Sequence, residues 1–151
     1  MPAARARGPR PARAARAWLY GLALLGASIA NAAAPPELSA RLVCPRRPGP
    51  GRVVCEAELE LEAGVLAWAD VLVLEAPPFA LPLRSRVGPN ALHMKSDQRQ
   101  RLQLALAATA PGSGTLRVRA RAVACPDATL RGCQTVVRET EARVEVGPIT
   151  E

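Results

Sequence analysis

Hydrophobic and polar residues alternate with a period of two along much of the chain after residue 37. The alternation covers residues 38–44, 55–61, 101–106 and 116–122, and each segment has one apolar and one polar parity. This pattern is typical of β-strands with one buried and one wet face. Proline- and glycine-rich segments at 45–51 and 111–114 separate the strands, because proline lacks an amide donor and glycine favours turns.

Three further segments complete the predicted set of strands. Residues 65–74 are apolar on both parities except at Asp70, which predicts a central strand covered on both faces. A short edge strand is expected within residues 79–86, an irregular loop over 87–98, and a last strand from about Thr135 to Val146. The whole pattern predicts an all-β, antiparallel, immunoglobulin-like sandwich of about seven strands.

The amino-terminal residues 1–32 have the pattern of a signal peptide. Five arginines and no acidic residue precede an apolar run, AWLYGLALLGASI, and a small-x-small cleavage pattern follows at Ala30-Asn31-Ala32. The apolar run is shorter than the roughly 20 residues that span a bilayer. We therefore expect cleavage near Ala32, a single mature domain over 33–151 without a membrane span, and a periplasmic or secreted location.

The charge of the chain belongs mostly to this signal. The formal net charge is +7, but residues 33–151 carry 15 basic and 13 acidic residues, which leaves only +2. Trp68 and Phe79 are the aromatic residues of the mature part, so the stacking platforms of single-strand nucleic-acid binders are missing. Composition therefore argues against a nucleic-acid partner.

Four cysteines in an exported chain of this size predict two disulfides. Cys44 and Cys55 both fall on the apolar parity of their strands, at the two ends of one proline-rich connection. A bridge between them is predicted to be a structural disulfide that holds a hairpin beneath the core.

Cys125 and Cys133 lie differently in the pattern. Cys125 shares its parity with three arginines, and Cys133 shares its parity with the polar side of the last strand, so both sulfurs are expected near the polar face at the mouth of a hairpin. Nearby cations favour the thiolate, which is the form that attacks disulfides. The residues alone leave two interpretations open: a redox-active pair, or a second structural disulfide. The three arginines are Arg117, Arg119 and Arg121.

The other candidate groups are not expected to take part in catalysis or metal binding. His93 is the only histidine and is expected in a solvated loop. The glutamates at 56, 58, 60 and 62 are interpreted as a solvated strand face, and Asp70 as a bonded structural carboxylate. The cysteine spacings fit no common zinc pattern. We expect neither a metal nor a cofactor.

The stretch over residues 100–146 resembles the end of the amino-terminal domain of DsbD-type thiol:disulfide interchange proteins. Its sequence is QRLQLALAATAPGSGTLRVRARAVACPDATLRGCQTVVRETEARVEV. In that family an Arg-Leu strand and a Thr-Leu-x-Val strand lead into a cysteine, and an Asp-Ala loop, a second cysteine and a Glu-Thr strand follow. Residues 62–68, EAGVLAW, are similar to the Gly-x-x-x-aromatic start of the family's central strand.

The resemblance implies a periplasmic module that passes electrons through Cys125 and Cys133 to the disulfide of a partner protein. The family's membrane electron-transfer domain is missing from this chain, so a separate membrane protein would supply the electrons. The alternative is a non-catalytic exported sandwich with two structural disulfides that binds another protein. Cys44 and Cys55 have no obvious counterpart in the family.

Overall fold

The computed structural model describes Ala34 and residues 36–148, and the predicted signal peptide lies outside these described residues. The described chain forms nine β-strands and one short 3-10 helix, and no helix in it is long and apolar enough to cross a membrane. The elements are β1 Leu38–Val43, β2 Gly51–Leu61, β3 Val65–Glu75, β4 Ala80–Pro82, β5 Arg86–Val87, the 3-10 helix Pro89–Ala91, β6 Leu92–Lys95, β7 Arg99–Ala108, β8 Gly112–Cys125 and β9 Gln134–Val146.

The strands form two antiparallel sheets. The first sheet has the order β1-β2-β7-β4, with β6 also paired to β7, and the second has the order β5-β3-β8-β9. Strands β1, β2 and β7 thus correspond to A, B and E of an immunoglobulin-like sandwich, and β3, β8 and β9 to C, F and G. The predicted all-β antiparallel sandwich is confirmed.

The core is aliphatic because the alternating strands carry leucine, valine and alanine on their inner parity. On β2 every second residue from Val53 to Leu61 is buried, and Leu102, Leu104 and Leu106 of β7 lie beside them in the same sheet. The second sheet contributes the inner residues of β3 and β8. The side chain of Gln100 also enters this interior, where its Nε2 donates a hydrogen bond of 2.7 Å to the carbonyl of Leu66.

Residues 87–98 are more regular than the sequence predicted. They contain part of β5, the 3-10 helix and β6, because these short segments pair with the edges of longer strands. Val87 pairs with Val71 of β3, and Lys95 pairs with Gln100 of β7. Backbone pairing of this kind satisfies amide and carbonyl groups at the sheet edges, and it requires no alternation in the paired segment.

Candidate functional site: the two disulfides and the groove beside Cys125

Both predicted disulfides are formed, with Cα–Cα distances of 4.2 Å for Cys44–Cys55 and 4.1 Å for Cys125–Cys133. Cys44 follows the last residue of β1, and the register that pairs Val43 with Glu56 places it beside Cys55. Cys55 has no solvent exposure and Cys44 packs against the core from a half-buried position. The predicted core-facing placement of this pair is confirmed.

The second disulfide closes the loop between β8 and β9, as the sequence predicted. Cys125 is the last residue of β8, and Cys133 directly precedes β9. Cys125 is only 2% exposed, whereas Cys133 is partly exposed. The exposed position expected for both sulfurs at the mouth of the hairpin is therefore wrong for Cys125.

The turn between β2 and β3 packs against the backbone of Cys125. Val65 pairs with Cys125, so the preceding turn packs directly against the end of β8. Gly64 has a φ of +94°, and a Cβ atom there would lie 2.3 Å from the carbonyl oxygen of Cys125. Only glycine allows so close an approach of two backbones. Parity assigned Cys125 to the correct sheet face but carried no information about the segment that covers the end of that face.

The three arginines of β8 lie on the predicted outer face, but carboxylates on neighbouring strands match their charges. Arg121 Nη2 is 2.6 Å from Asp70 Oδ2, and Arg119 Nη2 is 2.8 Å from Glu139 Oε1. Arg117 has longer contacts with Glu75 and Glu139. Cations that already face carboxylates stabilise a thiolate much less than unmatched cations do. The arginines therefore give little support to an activated cysteine.

Asp70 is the best-defined polar group of this sheet. Its side chain is 1% exposed and accepts hydrogen bonds from Arg86 of β5 and Arg121 of β8, so it links three strands. Burial raises the pKa of this carboxyl, but the hydrogen bonds from Arg121 and Arg86 outweigh it and hold the pKa below its usual value. Arg121 also lies over the ring of Trp68, with its guanidinium carbon 5.9 Å from the ring centroid. The interpretation of Asp70 as a bonded structural carboxylate is confirmed.

The outer glutamates of β2 form cross-strand ion pairs instead of a simply solvated face. Glu60 Oε1 lies 2.8 Å from Arg99 Nη2, and Glu58 Oε2 lies 2.6 Å from Arg101 Nε. The antiparallel register of β2 and β7 places these residues opposite each other. The alternation of arginine at 99 and 101 in the sequence is the signal that would have predicted this pairing.

His93 lies on β6 and is exposed, so the expected solvated position holds although the expected loop is a strand. Within the part of the chain that the structure describes, no group of three or more histidine, cysteine, aspartate or glutamate side chains is arranged to hold a metal ion.

A groove of about 570 Å³ lies beside Cys125. Three segments that are distant in sequence build it: the residues before β1, the β2–β3 turn, and the two ends of the loop closed by the disulfide. Its described lining includes two carboxylates and neither lysine nor arginine. Sequence reasoning missed this groove because its walls meet only in the folded chain. The lining residues are Ala34, Pro36, Glu37, Glu62, Ala63, Gly64, Ala124, Cys125, Pro126, Gly132 and Gln134.

Comparison with known proteins gives little beyond this geometry. No protein-family model and no curated protein matches the chain. A solved structure described as BslA, a bacterial hydrophobin, is similar over 78% of this chain and 98% of its own, with 11% sequence identity. The TM-score of 0.28 is too low to carry an argument about fold or function.

Proposed function

We propose that this protein is an exported, non-catalytic β-sandwich that binds another protein through the groove beside Cys125, with both disulfides in structural roles. The observation that carries the proposal is the placement of Cys125. It is 2% exposed and its backbone packs against the β2–β3 turn, at the wall of a groove of about 570 Å³.

Burial and charge both argue for a structural second disulfide. A thiolate of a partner must reach a sulfur to exchange disulfides, and Cys125 is only 2% exposed, with its backbone packed against the β2–β3 turn. The carboxylates of Glu37 and Glu62 line the same groove. Negative charge near a cysteine disfavours its thiolate. The surroundings of Cys125 are therefore better suited to holding the hairpin than to redox chemistry.

The composition of the groove indicates the chemistry of the partner. Alanine, proline and glycine supply most of its described wall, and Glu37 and Glu62 supply its charge. An extended apolar segment flanked by lysine or arginine complements such a wall in shape and charge. We assign this kind of segment, presented by another protein, as the ligand of the groove.

Two synthetic peptides with the same apolar centre, one with lysine and one with glutamate at its flanks, test the proposal by NMR titration. The lysine peptide should shift the amides of Ala63, Gly64 and Gln134. A Glu37→Gln/Glu62→Gln variant should bind it about tenfold more weakly, because each exposed ion pair contributes up to about 1 kcal/mol. Glu141→Gln, on the outer face of β9, is the matched control. Equal binding of both peptides, or shifts elsewhere, would contradict the proposal.

Thiol–disulfide exchange is the second candidate, and the partly exposed Cys133 favours it together with the resemblance to DsbD-type domains. In this mechanism a separate membrane protein first reduces the pair with its own dithiol. The Cys133 thiolate then attacks the partner's disulfide, forms an intermolecular S–S bond and releases one partner thiolate. Cys125 attacks Cys133 Sγ, re-forms the internal bond and releases the second partner thiolate. Two electrons pass to the partner.

Burial predicts which cysteine would attack in this mechanism. With oxidised glutathione as the probe, Cys125→Ser should form a mixed disulfide through Cys133 faster than Cys133→Ser does through Cys125. The reduction potential of the wild-type pair should lie above about −300 mV, as for labile bridges. A potential below that value, with slow mixed-disulfide formation in both variants, would leave the binding function as the only candidate.

Export is part of both candidates and rests on the pattern of residues 1–32. Amino-terminal sequencing of material recovered outside the cytoplasm should begin near Ala33. Full-length chain in the membrane fraction would contradict the cleaved signal.

A further inference from the structure

A second cleft, of about 390 Å³, lies on the first sheet and shares no lining residue with the groove beside Cys125. Its apolar part is built across neighbouring strands. Val54 of β2 pairs with Ala105 of β7, and the amide of Leu83 donates a hydrogen bond of 2.9 Å to the carbonyl of Ala105. Leu92 of β6 and Val87 of β5 extend this apolar surface.

Two arginines give the cleft its charge. Arg52 and Arg84 are both exposed and both line it, and its described lining contains no aspartate or glutamate. Within residues 36–148, neither guanidinium has a carboxylate within 4.0 Å. On the same sheet, by contrast, Arg99 and Arg101 are paired with glutamates of β2. The cleft therefore combines an apolar surface with unmatched positive charge.

We propose that this cleft binds an amphiphilic carboxylate, with its unbranched alkyl chain on the apolar surface and its carboxylate at Arg52 and Arg84. A cavity of this volume lies within the range of small-molecule sites, in which polar groups fix the orientation of the ligand. Guanidinium groups match the planar geometry of a carboxylate and can donate two hydrogen bonds to it. Polar groups from Asn90, His93 and Gln103 complete the cleft. This site is independent of the protein-binding groove.

Three eight-carbon probes with different head groups separate recognition of the head-group charge from hydrophobic binding of the alkyl chain alone. Octanoate, octanol and octylammonium are titrated into the isotopically labelled protein below their micellar concentrations, and amide shifts are followed by NMR. Octanoate should shift Val54, Leu83 and Ala105 and bind about tenfold more tightly than octanol. Octylammonium should bind most weakly. Equal binding of all three probes, or no octanoate shifts at these residues, would overturn the proposal.

Matched variants test the two halves of the cleft separately. Arg52→Gln/Arg84→Gln should weaken the binding of octanoate about tenfold and leave the binding of octanol unchanged, whereas Arg41→Gln, away from this cleft, should change neither.

The apolar half is tested by a leucine variant. Leu83→Ala should weaken the binding of both probes by up to about tenfold. Leu81→Ala is the control for it, because both leucines are 57% exposed but only Leu83 lines the cleft. Equal effects of the two leucine variants would overturn the assignment of the apolar half.

Discussion

The two disulfides of this protein have similar loop lengths and Cα–Cα distances but different surroundings. Each closes a short hairpin connection, with sequence separations of 11 and 8 residues and Cα–Cα distances of 4.2 and 4.1 Å. Loop-closure entropy alone gives about 3 kcal/mol for the first and about 2.5 kcal/mol for the second. The length of the closed loops therefore does not distinguish the two bridges.

Their packing does distinguish them. Cys55 belongs to the aliphatic core between the sheets, and Cys44 packs against that core. Cys125 is equally hidden from solvent, but it lies outside the core cluster, where its backbone packs against the β2–β3 turn and a groove lies beside it. The comparison shows that the burial of a cysteine and its place in the core are separate properties. The first limits access to the sulfur, and the second sets how much stability the bridge adds.

Removal of the Cys44–Cys55 bridge should produce the largest effect. Cys44→Ala/Cys55→Ala should lower the free energy of unfolding by about 4 kcal/mol, because a core cavity adds to the lost loop constraint. Cys125→Ala/Cys133→Ala should lower it by about 2.5 kcal/mol. Urea denaturation of both variants measures the difference. An equal or larger loss of stability for Cys125→Ala/Cys133→Ala would contradict the conclusion that a place in the core makes a bridge more stabilising.

A substitution at Gly64 tests whether the β2–β3 turn packs closely against the backbone of Cys125. Gly64→Ala should destabilise the protein by about 3 kcal/mol, because the new Cβ would meet the carbonyl oxygen of Cys125 and the backbone has a positive φ. Gly132→Ala is the control, with a φ of +67° and a nearest atom, Pro126 Cγ, at 3.9 Å. It should cost only about 1 kcal/mol. Similar thermal shifts in the two variants would mean that the turn does not press on Cys125.

Asp70 tests the electrostatics of the sheet that carries Cys125. Asp70→Asn should destabilise the protein by about 2 kcal/mol, because Arg86 and Arg121 lose a buried partner while they remain partly solvated. Glu139→Gln, which breaks the exposed pair with Arg119, should change stability by less than about 1 kcal/mol. Chemical denaturation at neutral pH measures both. Equal losses of stability in the two variants would show that the burial of Asp70 adds nothing to the stability of the fold.

The same carboxylate gives this sheet an acid response. The pKa of Asp70 is lower in the folded protein than in the unfolded chain. The contribution of Asp70 to the stability of the fold is therefore fully present above about pH 4 and is lost as the pH falls further. The protection factors of the Val71 and Ala120 amides against hydrogen exchange should therefore fall below that pH in the wild type. Asp70→Asn should show a flatter pH profile at those positions.

Chemical reduction should show the smallest difference between the bridges. Cys44 packs against the core whereas Cys133 lies outside it, so dithiothreitol should reduce Cys125–Cys133 about tenfold faster than Cys44–Cys55, which equals about 1.4 kcal/mol in activation free energy. Mass spectrometry after alkylation at each time point follows the two pairs separately. Faster reduction of Cys44–Cys55 would reverse the comparison.

Features that depend on neighbouring residues could be predicted from the amino-acid sequence. Period-two alternation marked most of the strands, and proline and glycine marked the turns. The two cysteines of each pair flank one connection, so the hairpins bring them together. The alternation failed only at β5 and β6, where two- and four-residue strands form by pairing with longer neighbours.

The environment of each candidate group, by contrast, depends on the packing of the folded chain. The turn against Cys125, the partner of Arg121 and the walls of both cavities come from segments far apart in the chain; Asp70 and Arg121, for example, are 51 residues apart. Alternation states which face of its own strand a side chain occupies. It carries no information about which distant segment covers that face or which charge lies opposite, because the packing of the whole chain sets both.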